Sequence, residues 1–246
     1  MGRILTITSG KGGCGVTSAG LVFAAFGAEN GRRVLLVDGD VGYRTPCYLA
    51  AAEELLLYDM ADAAAGRCAP QDAWYASPAY AGVWVLPAPL REEDMPSAQR
   101  TVAFLRICAD YFDEVILDLP ARSPLLAEAA AVSDDVVVCT APDPVSVRAC
   151  GLLREKLQGF AGEARLIISG FSQARMQAVC RTVDLDGVID GVGLRLLGVV
   201  PADDAFARLT MARDPQGKKT AAWAALRRCA ARLQGEQIPL DGKALL

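Results

Sequence analysis

The sequence of 246 residues contains no histidine. This absence excludes a Ser-His-Asp triad, a Cys-His pair, metal ligation by histidine and an imidazole pH switch. Acid–base chemistry must therefore come from carboxylates, lysines, cysteines, tyrosines or water. The chain also lacks an excess of positive charge, since 25 Lys and Arg stand against 29 Asp and Glu. We therefore do not expect nucleic acid to bind through a broad positively charged surface.

Long apolar runs and paired cysteines are missing as well. The first apolar stretch, Ile4 to Ile7, is too short for a signal-peptide core, and no run approaches a membrane span. The eight cysteines are scattered without a CxxC pair, and most lie in apolar runs, which is typical of buried thiols in a reducing compartment. We therefore expect a soluble cytoplasmic protein.

Short apolar runs alternate with helix-like segments along the whole chain. The runs are continuously apolar, as in strands that are buried on both faces of a parallel sheet. They lie at 4–8, 34–37, 83–86, 115–117, 135–138, 166–168 and 196–200, and the helical segments include 19–30, 99–111, 145–158 and 220–233. No linker or internal repeat divides the chain. The pattern predicts one doubly wound α/β domain over residues 1–233, with helices on both faces of a mostly parallel sheet, and a short tail, 234–246.

A glycine-rich segment, Ser9 to Ser18, follows the first apolar run and opens into the helical segment 19–30. Glycines let the backbone turn tightly and point N–H groups at an anion, and the helix N-terminus adds partial positive charge. The segment predicts a phosphate-binding turn of one of two classes. Its glycines match the GxGxxG motif of dinucleotide sites, and they also match the mononucleotide P-loop GxxxxGK[ST], with Val16 at the lysine position. The loop alone leaves both classes open.

Acidic residues at the ends of two apolar runs favour the mononucleotide class. The second run ends in Asp38-Gly39-Asp40, and the run at 115–117 ends in Asp118. In a parallel sheet, ligands bind beyond the carboxyl ends of the strands. Magnesium takes oxygen ligands from one or two carboxylates and from phosphates. Thr17, Asp38 and Asp118 are therefore candidate metal ligands.

Together, these motifs resemble the MinD/ParA family of deviant Walker A ATPases, and its MinD branch most closely. Residues 9–18 are similar to the family's SGKGGxGKT[ST] loop, 34–42 to VLLIDxDxG and 115–121 to DxPAG, with weaker similarity at 140–148 and 197–201. The resemblance implies a P-loop NTPase fold, ATP or ADP with Mg²⁺, and a role in positioning the division septum, chromosomes, plasmids or organelles. It also implies a nucleotide-dependent homodimer, or a heterodimer with an intact family member, and a protein partner from a positioning system.

The resemblance assigns roles to individual residues. Lys11 would reach the nucleotide phosphates of the partner subunit, and Asp40 would orient the attacking water, so these two are the candidate catalytic residues. Thr17 would hold magnesium, with Asp38 and Asp118 acting through water, and backbone near Pro201 would contact adenine. The other candidate nucleotide-binding positions belong to the loop itself: Gly10, Lys11, Gly12, Gly13, Cys14, Gly15, Val16, Thr17 and Ser18.

Two departures from the family pattern concern the nucleotide. Val16 stands where a lysine ammonium would contact the phosphates, and a hydrogen bond to a charged group contributes roughly 1.5–3 kcal/mol, so binding should weaken about tenfold to a hundredfold. Ser169-Gly170 replaces an Asn-Arg pair whose asparagine reads adenine. We expect weakened or lost ATP hydrolysis. Three alternatives stay open: an ordinary ATPase in which Lys11 compensates, a protein-binding scaffold that needs no nucleotide, and a dinucleotide-binding protein.

The last helical segment, 220–233, is amphipathic. A basic amphipathic helix can lie on a membrane surface, and the same pattern fits a terminal helix that packs on the sheet. The tail contains Pro239 and a single lysine and does not look like a membrane-targeting helix. Packing on the sheet is therefore favoured over attachment to a membrane, which would be peripheral. The apolar positions are Trp223, Leu226, Ala230 and Leu233, and the basic ones are Arg227, Arg228 and Arg232.

Overall fold

The computed structural model describes residues 1–121, 123–157, 160, 162–174 and 184–240. Its strands are β1 Arg3–Ser9, β2 Val34–Asp38, β3 Tyr75–Ala76, β4 Val83–Leu86, β5 Glu114–Asp118, β6 Asp135–Thr140, β7 Ala164–Phe171 and β8 Arg195–Pro201. They form one sheet in the order β3-β4-β2-β5-β1-β6-β7-β8, in which only the β3–β4 pair is antiparallel. The predicted mostly parallel sheet is confirmed.

Helices cover both faces of this sheet. Their bounds are α1 Val16–Glu29, α2 Thr45–Leu49, α3 Met60–Ala64, α4 Ala98–Tyr111, α5 Leu126–Val132, α6 Pro144–Lys156, α7 Leu185–Val192, α8 Asp204–Met211 and α9 Ala221–Leu233. The predicted segments 19–30, 99–111 and 220–233 correspond to α1, α4 and α9. The segment predicted at 145–158 is α6, and residue 158 lies outside the described residues.

Continuously apolar strands arise because each face of the sheet has its own hydrophobic core. Ile4 packs into one core, while its neighbour Leu5 packs into the other. Successive side chains of a strand point to opposite faces, so a strand buried on both sides needs an apolar residue at nearly every position. The cysteines of the described residues are free thiols, and all of them except Cys68 are buried, as predicted; Cys180 lies outside the described residues.

The strand order bears on the two classes of phosphate loop. In the dinucleotide-binding order, 3-2-1-4-5-6, the first and second strands are neighbours. Here β5 lies between β2 and β1, and β1 pairs with β5 and β6. The topology therefore favours a mononucleotide loop over the dinucleotide alternative.

Helix α9 packs on the sheet, as the favoured alternative predicted. Trp223 and Leu226 are each 2% exposed and belong to the same core as α1. Arg232 donates to the carbonyl oxygen of Leu197 at 3.0 Å and to that of Ile238, at the start of the tail, at 2.8 Å. The apolar face of α9 is therefore buried in the core of the protein. Residues 241–246 of the predicted tail lie outside the described residues.

Among the residues that the structure describes, no helix has the length and apolarity needed to cross a membrane.

Candidate functional site

The loop between β1 and α1 presents open backbone to its surroundings. Gly13 and Gly15 have φ angles of 79° and 83°, in the left-handed region that glycine adopts without strain. A Cβ atom at Gly12 or Gly13 would have no heavy atom within 4 Å. This part of the loop therefore has the room that a phosphate group needs in order to approach its N–H groups.

The start of α1 adds to this anion site. Gly15 is the N-cap residue and makes no side-chain capping bond. The N–H groups of the first turn have no partner within the helix, and the helix dipole concentrates partial positive charge there. Thr17 and Ser18 lie in this turn and are partly exposed, whereas the side chain of Val16 packs against the core on the α1 face of the sheet.

The base of the loop is fixed against α6. The Gly10 N–H donates to Cys150 Sγ at 3.3 Å, and a Cβ at Gly10 would lie 2.4 Å from the backbone of Ala149.

We expect Gly10→Ala to lower the free energy of unfolding by about 1–3 kcal/mol, because the backbone must shift to admit the methyl group. Thermal unfolding without ligand measures this effect. Gly12→Ala is the matched control, since its methyl group would enter open space, and equal melting temperatures for the two variants would contradict the packing argument.

Two predicted metal-binding acids lie side by side at the end of the sheet. Asp38 in β2 and Asp118 in β5 are register partners. Gly39 allows this approach, because its N–H donates to the Asp118 carbonyl oxygen at 2.8 Å and a Cβ would lie 2.7 Å from the same oxygen. Asp38 is 0% and Asp118 2% exposed. The Oδ2 atom of each carboxyl group has no hydrogen-bond partner among the described residues.

The electrostatics of these acids follow from their burial. Burial raises the pKa of Asp118 to about 7, although hydrogen bonding with Thr17 lowers it, and the nearby Asp40 carboxylate raises it further. Burial also raises the pKa of Asp38 well above its usual range, against the opposing effect of the Asp40 N–H, which donates to Asp38 Oδ1 at 2.9 Å. Burial raises the pKa of the partly exposed Asp40 as well. The carboxyl groups of Asp38 and Asp118 are therefore poorly hydrated, and that of Asp40 is partly so.

These oxygen atoms of Asp38, Asp118 and Thr17 fit a magnesium ion that also binds ligands from outside the protein. Two buried carboxyl oxygens without partners, near the Thr17 hydroxyl, are the hard oxygen donors that Mg²⁺ prefers. Within the described part of the chain, no group of three or more His, Cys, Asp or Glu residues could hold an ion by itself. Phosphate oxygens and water would therefore have to complete the coordination, as is usual for magnesium with nucleotides.

Lys11 is paired within its own chain. Its ammonium lies 3.8 Å from Asp143 Oδ2, and its side chain is 49% exposed. Asp143 caps α6 and accepts from the Ser146 hydroxyl at 2.6 Å. The pKa of Asp143 is lowered because the hydrogen bonds from Ser146 and the charge of Lys11 outweigh burial, which alone would raise it. An exposed pair of this kind contributes little stability, so Lys11 can exchange Asp143 for another anion.

A cavity of about 490 Å³ lies beside the loop, between it and the ends of β7 and β8. Its volume is within the usual range for small-molecule sites, about 300–1,000 Å³. Pro201, which the resemblance placed near adenine, lies in its wall together with loop residues. Phe206 and Leu226 line it from α8 and α9. No sequence pattern indicated these two walls, because both helices are far from the loop in the chain. The loop residues in the lining are Gly13, Cys14, Gly15 and Ser18.

Arg44 belongs to the surroundings of the acids and was not anticipated. It has a φ of 49° and donates to the Ala88 carbonyl oxygen at 3.0 Å and to Asp59 Oδ2 at 3.1 Å. Its positive charge lowers the pKa of Asp38. The only signal in the sequence is an arginine four positions after Asp40, and position alone does not show where its side chain lies.

The chain is similar in sequence to known proteins over almost its whole length. No protein-family model matches the chain. The septum site-determining protein MinD of Bacillus subtilis is 29% identical over 253 residues, covering 98% of this chain and 92% of that protein. MinD of Synechocystis is 27% identical over 248 residues, covering 97% and 92%.

Solved structures show the same fold. A MinD cell division protein of Aquifex aeolicus superposes with a TM-score of 0.84 at 22% identity, covering 97% of this chain and 100% of that one. MinD of Pyrococcus horikoshii, solved as a complex with Mg-ADP, gives a TM-score of 0.80 at 22% identity with the same coverage. The similarity in fold therefore extends over nearly the whole chain.

Proposed function

Because the chain belongs to the MinD/ParA family of P-loop ATPases, we propose that it is a nucleotide-binding spatial regulator with weakened or lost ATP hydrolysis. Relatives that match almost the whole chain are named septum site-determining proteins. By analogy, this protein positions a division site, a chromosome or an organelle from the cytoplasm.

The observation that carries the proposal is an open anion site whose lysine position is occupied by an apolar residue, Val16. The glycine loop is open, the first turn of α1 is uncapped, and the acid pair has free oxygens. Val16, between the loop and Thr17, is partly buried, and its apolar side chain packs against the core. Backbone N–H groups and a helix terminus bind phosphate without a lysine. Stabilising the charge of a phosphoryl group in transfer needs more cationic groups than these.

The candidate metal-binding and catalytic residues have the following roles in the proposed function. Thr17, Asp38 and Asp118 would hold Mg²⁺, which neutralises phosphate charge when bound. Asp40, whose side chain is partly exposed, would orient water. Lys11 would leave Asp143 and contact the nucleotide of a second subunit, so the active form would be a homodimer or a heterodimer with an intact family member. A protein partner is also proposed, since a MinC:MinD complex of Aquifex aeolicus is among the structures of the same fold.

Calorimetric titration with Mg·ADP and Mg·ATP tests the proposal. We expect saturable binding that requires Mg²⁺ and is lost in Thr17→Val, which keeps the side-chain shape and removes the hydroxyl. Thr17→Ser, which restores the hydroxyl, is the matched control and should bind like the wild type. If millimolar nucleotide gives neither heat nor a thermal shift, the nucleotide-independent scaffold replaces this proposal.

A further inference from the structure

Three thiols surround the base of the phosphate loop: those of Cys14, Cys139 and Cys150. Cys14 belongs to the loop itself, Cys139 to the end of β6 and Cys150 to α6. All three are free and at most 3% exposed. None of the roles proposed for the nucleotide or its metal ion uses a thiol. Among the described residues these thiols form no group that could hold a metal ion, so the chemistry open to them is oxidation.

Cys14 and Cys150 approach the same face of α6. The Cys14 Sγ atom lies 4.0 Å from Ser146 Oγ. Ser146 and Cys150 are four positions apart on α6, and residues at this spacing are neighbours on one helix face, with Cβ atoms about 5–6 Å apart. Cys150 Sγ also accepts from the Gly10 N–H at 3.3 Å. The two sulfur atoms therefore lie about one helical turn apart, where the loop meets α6.

Cys14 has Cys139 as a second neighbour, since both belong to the core on the α1 face of the sheet. Cys139 is fixed, because β6 pairs with β1 on one side and with β7 on the other. Burial raises the pKa of Cys139 well above its usual range. Burial raises the pKa of Cys150 as well, but hydrogen bonds with Thr140 and with the Gly10 N–H oppose it. The thiolate is the nucleophile in disulfide chemistry, so Cys150 is the better partner for Cys14.

The loop gives Cys14 room to move. Its neighbours are Gly13 and Gly15, and a Cβ at Gly13 would have no heavy atom within 4 Å. A disulfide requires Cα atoms about 4.4–6.8 Å apart, and flanking glycines let the backbone adjust to that distance. Cys14 also lines the cavity of about 490 Å³ beside the loop. A small oxidant can therefore reach its sulfur atom from the cavity.

We propose that Cys14 and Cys150 are an oxidisable pair, which a hydroperoxide converts into a disulfide that holds the phosphate loop against α6. The Cys14 sulfur attacks the O–O bond of the hydroperoxide, which gives a sulfenic acid and releases an alcohol, or water from hydrogen peroxide. The Cys150 sulfur then attacks the Cys14 sulfur, so that the S–S bond forms and water leaves. The two thiols lose two electrons and two protons in total, and the hydroperoxide takes up both.

The disulfide changes the anion site because it pulls residues 13–15 toward α6. Their N–H groups then leave the arrangement in which they face a phosphate. This consequence rests on the proposed function, whereas formation of the disulfide does not. A disulfide in a reducing compartment is typically transient and serves redox sensing, so the loop would reopen when thiols reduce the bond.

Peptide mapping of the full chain after treatment with hydrogen peroxide tests the pairing without any nucleotide. Trypsin cleaves after Arg148, so Cys139 and Cys150 fall on different peptides. We expect the Cys14 peptide to be joined to the Cys150 peptide, dithiothreitol to separate them, and the protein to run as a monomer on a non-reducing gel. Cys150→Ser, which keeps an acceptor for the Gly10 N–H, should not form the product. Cys139→Ala is the matched control and should form it as the wild type does.

Calorimetric titration with Mg·ADP tests the effect on the loop. The oxidised wild type should bind about tenfold or more weakly than the reduced protein, the loss expected when one hydrogen bond to a charged group is removed. Dithiothreitol should restore the affinity. Because coupling between two sites is reciprocal, saturating Mg·ADP should also slow formation of the disulfide.

The outcomes separate the two proposals. A disulfide between Cys14 and Cys139, or the absence of any disulfide at Cys14, overturns the inference. If the expected disulfide forms and the affinity for Mg·ADP is unchanged, its effect on the loop is wrong. If the reduced protein does not bind Mg·ADP, the proposed function fails, and the peptide map still decides whether the pair exists. If Cys150→Ser does not fold, the map of the wild type alone decides.

Discussion

Replacing Val16 with lysine is expected to tighten binding of Mg·ATP by about tenfold to a hundredfold, since a hydrogen bond to a charged group contributes roughly 1.5–3 kcal/mol. The structure can accept this change. Val16 is the first residue of α1 and only partly buried, so the aliphatic part of a lysine can keep the contact with the core while its ammonium extends into the loop. The new cation would face the open side at Gly12 and Gly13.

Hydrolysis should respond more strongly than binding. Charge accumulates on the phosphoryl oxygens in the transition state, so a fixed ammonium contributes more there than in the ground state. We expect phosphate release by the wild type to be close to background, and Val16→Lys to exceed it by at least tenfold. Calorimetry and a phosphate-release assay measure the two effects separately.

Val16→Met is the matched control for this prediction. Methionine has an unbranched chain close to lysine in length but carries no charge, so its binding and turnover should match those of the wild type. The weakened-ATPase proposal is wrong if the wild type already hydrolyses ATP at the rate of Val16→Lys. In that case Lys11 compensates, and Lys11→Met should abolish the activity.

The sequence predicted what depends on local pattern. Strand β2 was found because burial on both faces requires an apolar residue at each position, as at Val34 and Leu35. The loop was found because tight turns need glycines such as Gly13 and Gly15. The proximity of Asp38 to Asp118 was predicted because the carboxyl ends of parallel strands lie at one edge of the sheet.

The sequence did not predict what depends on contacts between remote segments. The pairing of Lys11 with Asp143 and the position of Arg44 beside Asp38 arise from chain folding, and no spacing encodes them. The edge strand β3 has two residues, too few for a periodic signal. The amphipathic pattern of α9 fits either a membrane surface or the sheet. In the structure Trp223 packs against Phe206, so the helix packs inside the protein.

The buried carboxyl group of Asp118 makes the stability of the protein depend strongly on pH. Its pKa is about 7 in the folded protein, against 3.8 for an unperturbed aspartate. Because the folded protein holds this proton more tightly than the unfolded chain does, the contribution of Asp118 to stability is complete below about pH 4 and is lost as the pH rises to about 7. A shift of about three units corresponds to about 4 kcal/mol at pH 8.

Asp118→Asn should therefore stabilise the protein without ligand at pH 8, because asparagine fills the same space without an ionised group to bury. We expect a gain of about 2–4 kcal/mol, or about 4–16 °C in melting temperature for a chain of this size. At pH 5 the gain should shrink by more than half, since Asp118 is then protonated in the folded state. Thermal unfolding at the two pH values measures the difference.

Asp110→Asn is the control for a general effect of removing negative charge. Asp110 is exposed on α4, so its replacement should change the melting temperature by little at either pH. A melting temperature for Asp118→Asn at or below that of the wild type at pH 8 would contradict the argument. The stabilised variant should also lose the thermal shift that we expect Mg·ADP to give the wild type, because the Asp118 oxygen without a partner is the one that we propose serves the metal. Stability gained and ligand response lost by a single substitution would identify Asp118 as a residue kept for binding at a cost to the fold.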